Sequence, residues 1–379
     1  MLAHAPLCCF LLVTFVPVIA RAVDHVSLER DGRPIHISGK VLVEAQDGGL
    51  LLMDSSRVLW AVTPDEITRH DKDQQEFKLL DKEGMSEQLQ KELTGRFRVH
   101  KTAHYVICYN TSAAYAKWCG ALFERLYRAF GTYWKNRGFE LDEPKWPLVA
   151  LVFDDRQSYA QYAKSELGDA TSSIIGYFSL RSNRVTMYDL TGVDRIGPGR
   201  TSSAAQINRI LSRPEAERTV ATIIHEATHQ LAFNRGLQTR YADIPLWVSE
   251  GLAIYFETPD LRSSKGWRNI GGVNRVRLNE FRRYQQSRPQ NSLVTLISDD
   301  QRFRSVRTAP DAYCEAWALN YFLIRKHPKE YLKYTKLMAE KKRLLYDSPE
   351  ERRQQFQEAF GEDLGRLDRE FLRDIRSIR

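Results

Sequence analysis

The sequence predicts an α+β protein in which a small β-rich domain precedes a larger domain that is mixed at first and then mostly helical. From Val23 to about Thr68, short alternating runs are broken by Asp-Gly and Gly-Gly turns, a pattern typical of antiparallel strands. Buried-strand and amphipathic-helix patterns then alternate from about residue 104 to about residue 189. Beyond the loop that follows, the pattern is almost entirely helical up to Arg379.

The composition is that of a globular protein. Of 379 residues, 42% are hydrophobic and 27% are charged, which excludes a disordered chain. The net charge of +8 comes from basic residues interleaved with acidic ones, so we expect no nucleic-acid partner. Beyond the N-terminal segment the chain has three cysteines, which allow at most one disulfide and match no cysteine-based zinc site. Any metal must therefore be held by histidine and carboxylate.

The N-terminal segment has the pattern of a signal peptide. An apolar run of thirteen residues, Leu7 to Ile19, is followed by the small-x-small sequence Ala20-Arg21-Ala22. The run is too short to span a bilayer comfortably, so we expect a secreted or extracytoplasmic protein, and membrane attachment only if the segment is not cleaved. The predicted segments are a signal peptide at 1–22, a β-rich domain at 23–75, a linker or connecting helix at 76–97, and the large domain at 98–379.

Within the large domain, the mixed section reads as four strands and one long helix. HYVICYN and PLVALVFDD are predicted strands on either side of the helix AYAKWCGALFERLYRAFGTYWKNRG. IIGYFSL and RVTMYDL are predicted strands joined at Arg181-Ser182-Asn183, and GVDRIGPGRTSSAAQ is a mobile loop by composition.

The stretch HEATHQ lies on a predicted helix. Ser212, Pro214 and Glu215 form a capping-box start, and the helix is expected to end at Asn234 and Gly236. Its apolar stripe leaves His225 and His229 on nearly the opposite side. Two histidines four residues apart share one helix face and can bind one ion, while Glu226 points to another side of the same region. The apolar stripe consists of Val220, Ile223, Ile224, Ala227 and Leu231.

A third ligand is expected from the next helix, IPLWVSEGLAIYFE. Catalytic zinc takes three protein ligands and leaves a fourth position open. Glu250 lies in an otherwise apolar stretch that Pro245 opens, where an unpaired surface carboxylate would be badly placed. The chain between His229 and Glu250 is long enough for a turn and an antiparallel return. The sequence therefore predicts a Zn²⁺ site formed by His225, His229 and Glu250.

These two segments resemble the gluzincin zinc metallopeptidases, particularly the aminopeptidase N branch, with its HExxH motif and a Glu in a Trp-x-x-Glu-Gly helix. From about His104 to Leu323 the chain is similar, in six ordered segments that end with AYCEAWALNYFL, to a family of secreted bacterial proteins with a gluzincin-like domain of unknown function. The resemblance implies a zincin-like catalytic domain: a mixed sheet with an edge strand, here assigned to RVTMYDL, an active-site helix and a mostly helical C-terminal part.

The resemblance also implies roles for individual residues. His225, His229 and Glu250 match zinc ligands, and Glu226 matches the catalytic base. Tyr313 falls where aminopeptidase relatives place a tyrosine that stabilises the oxyanion, although Tyr321 or simple helix packing are alternatives for this region. Glu257 matches an acid that orients a ligating histidine, with a surface salt bridge as the other interpretation.

Together these observations predict a secreted zinc metallopeptidase, a hydrolase that acts on a peptide or protein substrate. Glu226 would take a proton from the attacking water and deliver it to the leaving amine. The aminopeptidase segment that anchors a free amino terminus has no counterpart here, which argues against an exopeptidase. The sequence does not determine whether cleavage is internal or terminal. The alternative is a non-catalytic extracytoplasmic binding protein that keeps the zincin fold. Oligomeric state is not predicted.

Overall fold

The computed structural model describes residues 23–172, 174–191, 203–211, 216–258 and 270–379. The fold is α+β, as predicted: two sheets dominate the N-terminal part, and helices dominate the C-terminal part. The chain divides into two compact units, which are described separately. In the described residues, the first unit comprises 23–55 and 59–79, and the second comprises 56–58 and 80–379.

The first unit is a five-stranded antiparallel sheet with the strand order β4-β3-β2-β1-β5. Its strands are β1 (Asp24–Arg30), β2 (Arg33–Glu44), β3 (Leu50–Asp54), β4 (Leu59–Val62) and β5 (Ile67–Lys72). β5 extends beyond Thr68, where the sequence turns polar, because it is an edge strand whose side chains are almost all exposed. The apolar core of the first unit contains Val26, Leu28, Ile37, Leu50, Leu52 and Val62.

The second unit begins with helix α1 (Lys82–Glu92), which packs on a five-stranded mixed sheet. The strands are β6 (Arg98–Lys101), β7 (Tyr105–Tyr109), β8 (Leu148–Phe153), β9 (Gly176–Phe178) and β10 (Arg184–Tyr188). Their order is β6-β7-β8-β10-β9. β7, β8 and β10 are parallel to one another, whereas β6 and β9 are antiparallel to their neighbours.

This order corrects the assignment of the edge strand. RVTMYDL, which contains β10, lies between β8 and β9 and is hydrogen-bonded on both sides. On this side of the sheet the edge strand is β9, the short segment before β10 in the chain. RVTMYDL precedes the active-site helix in the chain, but chain order does not determine the order of strands in a mixed sheet. The continuous burial of β10 is that of an internal strand.

Helices form the rest of the second unit. α5 (Glu217–Asn234) packs on α2 (Ala113–Lys135), α6 (Leu246–Phe256) and β9, and α6 packs on α10 (Ala309–Lys326). In the described part of the chain, no helix is both long and apolar enough to cross a membrane. The predicted signal peptide at 1–22 and most of the predicted loop GVDRIGPGRTSSAAQ lie outside the described residues. The helices are α2 (Ala113–Lys135), α3 (Arg156–Leu167), α4 (Ala204–Leu211), α5 (Glu217–Asn234), α6 (Leu246–Phe256), α7 (Arg275–Tyr284), α8 (Ser292–Ser298), α9 (Gln301–Arg304), α10 (Ala309–Lys326), α11 (Pro328–Glu340), α12 (Pro349–Phe360) and α13 (Leu364–Ser377).

The three described cysteines are all buried and free. Cys108 belongs to the apolar cluster on the α1 side of the sheet, and Cys119 belongs to the main core formed with α2. Cys108 and Cys119 lie in different clusters, and no disulfide forms among the three described cysteines.

Candidate metal centre

Helix α5 presents both histidines of HEATHQ. Its apolar stripe is buried in the main core, as the periodicity predicted. The helix ends at Asn234, and Gly236 follows with φ +78°, a conformation that favours glycine. The predicted capping box at Ser212 to Glu215 lies outside the described residues. The side chains of His225 and His229 retain 13% and 11% exposure, so they are accessible from a cleft although the rest of the helix is largely buried.

Helix α6 presents Glu250, and the glycine after it lets this helix lie close to α10. A Cβ atom at Gly251 would come within 2.0 Å of Asn320 Nδ2 and 2.6 Å of the Ala316 carbonyl oxygen. Asn320 donates to the Trp247 carbonyl oxygen at 2.8 Å, which ties the two helices together. The Glu-Gly pair therefore combines a carboxylate on one face of α6 with close helix packing on another.

The three predicted ligands converge. The Nε2 atoms of His225 and His229 are 3.1 Å apart. His225 Nε2 is 3.1 Å from Glu250 Oε2, and His229 Nε2 is 3.5 Å from Glu250 Oε1. Donor atoms about 2.0–2.1 Å from a tetrahedral zinc ion are about 3.3 Å apart, so this arrangement fits zinc. A search of the described residues for histidine, cysteine and carboxylate side chains close enough to share one metal ion finds His225, His229 and Glu250.

A second carboxylate fixes the orientation of His225. Glu257 Oε1 lies 2.8 Å from His225 Nδ1, and Asn274 Nδ2 donates to Glu257 Oε2 at 3.3 Å. When Nδ1 donates its proton to Glu257 and Nε2 is deprotonated, the Nε2 lone pair of His225 is available to a metal ion held with the other two ligands. The structure thus places Glu257 in the contact expected for an orienting acid.

The site is electrostatically prepared for a cation. Burial raises the pKa of Glu250, but the neighbouring charge of His229 and hydrogen bonds with both histidines outweigh it and hold that pKa far below its usual range. Burial lowers the pKa of His225, but its bonds with Glu250 and Glu257 outweigh this effect and raise the pKa. A buried, ionised carboxylate beside two imidazoles attracts positive charge, either as protons or as a metal ion.

Glu226 lies beside the triad without belonging to it. Its Oε2 accepts a hydrogen bond of 2.8 Å from the backbone N–H of Phe178 in β9. Burial is the main cause of its raised pKa, with the charge of Glu250 acting in the same direction and the two histidines opposing it. A carboxylate with a raised pKa is suited to accept and return a proton.

Tyr313 faces the same cleft, which has a volume of about 690 Å³. The charge of Glu250 raises the pKa of Tyr313 most, followed by burial and by the charge of Glu226, so its hydroxyl stays protonated. Tyr321, the alternative, is buried and accepts a hydrogen bond of 2.5 Å from Arg325 Nη1. It does not line the cleft, so the structure brings Tyr313 and not Tyr321 to the triad.

Four groups at the site were not predicted from the sequence: the Phe178 N–H, Asn274, Arg277 and Arg304. Asn274 carries a local signal, since its side chain caps α7 by accepting from Arg277 N at 3.1 Å. That signal indicates a helix start and not a contact with Glu257. The other groups reach the cleft through long-range packing, for which the sequence holds no spacing pattern.

The chain matches, over residues 219–344, the profile of a family described as "Protein of unknown function (DUF1570)". The matched region includes His225, Glu226, His229, Glu250 and Tyr313. The chain is therefore similar to that family in the region that forms the candidate site. No curated protein matches the chain.

Proposed function

We propose that the protein is a secreted zinc metallopeptidase of the gluzincin type, with a zincin-like catalytic domain in its second unit. The observation that carries this proposal is the His225-His229-Glu250 triad with a separate carboxylate, Glu226, beside it. A structural zinc site is typically closed by four protein ligands, whereas a catalytic site has three and an adjacent base. The described residues supply three ligands and one such base.

Bound at the triad, zinc would supply an acidic water and polarise the scissile carbonyl. Glu226 accepts a proton from the attacking water at its carboxylate and donates it to the nitrogen of the leaving amine as the C–N bond breaks. Its raised pKa suits both transfers. The Phe178 N–H holds one carboxylate oxygen, which limits rotation of the side chain.

The Tyr313 hydroxyl is assigned to the carbonyl oxygen, which gains negative charge as water adds. A protonated phenol donates a hydrogen bond to that developing charge without adding a charge of its own. The charge of Glu250 first, then burial, keeps the hydroxyl protonated at neutral pH. Glu257 acts through His225 and is a positioning residue.

The proposed substrate is a peptide or protein segment in extended conformation. The edge strand β9 lines the cleft through Gly176, Tyr177 and Phe178. It pairs with β10 on one side, and no strand of the described residues pairs with its other side. An extended peptide can add to such an edge through backbone hydrogen bonds. β9 thus occupies the edge-strand position that the sequence analysis assigned to RVTMYDL. Secretion rests on the pattern of residues 1–22, and the mass of the mature N-terminus tests it.

The direct test of the function is Glu226→Gln in the full chain. Peptide cleavage should fall by several orders of magnitude while zinc content stays unchanged, because Gln preserves shape but accepts no proton. Undiminished cleavage in this variant would contradict the role of Glu226. Stoichiometric zinc without cleavage of any peptide by the unaltered chain would favour the non-catalytic binding protein instead.

A further inference from the structure

The cleft beside the triad has walls of different chemistry. One part of the lining is apolar: the rings of Phe178 and Phe233 stack with 5.7 Å between centroids, and Tyr346 also lines the cleft, with 72% exposure. Another part is cationic, since α7 and α9 contribute Arg277 and Arg304. A peptide lying across the triad would therefore meet an apolar surface and a cationic one.

Arg277, Arg304 and Tyr313 line the same cleft. Helices α7 and α9 both pack on α10, the helix that carries this tyrosine. The ring of Phe303, the neighbour of Arg304, meets the ring of Tyr313 at 5.3 Å between centroids. The charge of Glu250 raises the pKa of Tyr313 and that of Arg277 opposes this effect, so Arg277 lies within electrostatic range of the hydroxyl. Both arginines thus belong to helices that pack on the helix whose tyrosine is assigned to the scissile carbonyl.

The acids of this part of the cleft are already paired. Asp243 accepts a hydrogen bond of 3.0 Å from Arg352 Nε, and Asp300 Oδ1 is 3.2 Å from Arg352 Nη1. Lys341 adds further positive charge at Asp243. These carboxylates are neutralised within the protein, and Arg352 is engaged with both of them.

The two arginines are much less engaged. Arg304 is exposed and forms no ion pair or hydrogen bond from its side chain with another residue in the described part of the chain. Arg277 places Nη1 3.0 Å from Glu280 Oε2. Such a partly exposed pair on one helix is weak, and it leaves the other guanidinium N–H groups of Arg277 without a described partner. The charge available to a ligand on this wall is positive.

We propose that Arg277 and Arg304 bind a carboxylate of the substrate, so that the protein cleaves peptides beside an acidic side chain or a C-terminal carboxylate. The inference rests on the proposed peptidase function, because it assigns the substrate class of the same site. Guanidinium groups match carboxylates in shape and can donate two parallel hydrogen bonds.

The test uses the zinc-loaded full chain and two synthetic peptide libraries, one with free and one with amidated C-termini, with cleavage positions read by mass spectrometry. Cleavage should be concentrated beside Asp or Glu, or near a free C-terminus. A preference that persists on amidated peptides identifies a side chain, and one that disappears identifies the C-terminal carboxylate. Cleavage without either preference would overturn the inference and leave the peptidase function standing.

Substitutions of the two arginines test whether these residues cause the preference for acidic peptides. Arg277→Met and Arg304→Met should each lower kcat/KM on an acidic peptide by about tenfold or more, with little change on its Asn or Gln counterpart. Zinc content and melting temperature should stay unchanged, and Arg277→Lys should restore part of the loss. Arg283→Met, on the exposed side of α7, is the matched control. Equal losses on acidic and neutral peptides would contradict carboxylate binding.

A binding measurement separates this inference from turnover. The zinc-loaded Glu226→Gln chain is titrated with fluorescein-labelled peptides that differ only in Glu against Gln, or in a free against an amidated C-terminus. Tighter binding of an acidic member, lost in Arg277→Met, supports the inference even if no peptide is cleaved. Equal affinity within each pair overturns it even if peptides are cleaved.

Discussion

Removal of the Glu257 carboxylate should weaken zinc binding without removing a ligand. Glu257 Oε1 lies 2.8 Å from His225 Nδ1, and its side chain is only 12% exposed. The bond orients the imidazole and increases its basicity, and loss of such a partner typically costs 10–100-fold in metal affinity. That range corresponds to about 1.4–2.7 kcal/mol.

The structure predicts a graded series at this position. Glu257→Gln keeps an oxygen acceptor but loses the charge, so zinc affinity should fall by about tenfold, since bonds to charged groups are about twice as strong as neutral ones. Glu257→Ala removes the acceptor, and its loss should approach a hundredfold. Affinity is measured by competition with a chelator, with folding checked by circular dichroism. The control is Glu340→Ala, which removes an exposed carboxylate at the end of α11. Zinc affinity of Glu257→Ala within twofold of the unaltered chain would refute the orienting role.

Substitutions at Tyr313, Gly251 and Asp243 test the oxyanion role, the helix packing behind Glu250 and a buried ion pair. Tyr313→Phe should lower kcat by about a hundredfold with KM and zinc content unchanged. Tyr321→Phe, outside the cleft, is the control and should leave kcat unaltered. Loss of zinc in Tyr313→Phe would contradict the assigned role. Gly251→Ala should lower the free energy of unfolding by about 1–3 kcal/mol and weaken zinc binding, because its Cβ would meet Asn320 Nδ2 at 2.0 Å. Gly365→Ala on α13 is the control and should have little effect, because the nearest atom there is Arg369 Nη1 at 3.5 Å. For Asp243, burial raises the pKa, but the hydrogen bond and charge of Arg352 outweigh burial and lower the pKa. This carboxylate therefore stabilises the fold at pH values above its unfolded-state pKa of about 3.9. The stabilisation is lost as the pH falls through the lower folded-state pKa. Urea midpoints measured from neutral to acidic pH should therefore fall less steeply in Asp243→Asn, and identical pH profiles would show that this pair does not contribute.

The metal ligands were predictable because their signals are local or nearly so. His225 and His229 share a helix face through a spacing of four residues, and the apolar surroundings of Glu250 made a surface role implausible. The structure brings these three side chains together on α5 and α6. The sequence also predicted the α+β class, since alternating strands and helical periodicity are visible in short windows.

Sheet order and the surroundings of the ligands were not predictable in this way. The prediction that RVTMYDL forms the edge strand is wrong, because β10 is continuously buried and lies between two other strands. The contact between Asn274 and Glu257 joins two segments whose relative position depends on how α6 and α7 pack around α10. Likewise, Arg277 and Arg304 look like ordinary surface arginines in the sequence, and only the packing of their helices brings them to the cleft.

If His225, His229 and Glu250 bind one zinc ion, elemental mass spectrometry of the purified chain should find about one zinc per chain. The zinc should be lost in both His225→Ala and Glu250→Ala, while the exposed-site variant Glu340→Ala keeps its metal. Absence of zinc after dialysis against zinc, or retention of zinc in both ligand variants, would contradict the assignment of this site.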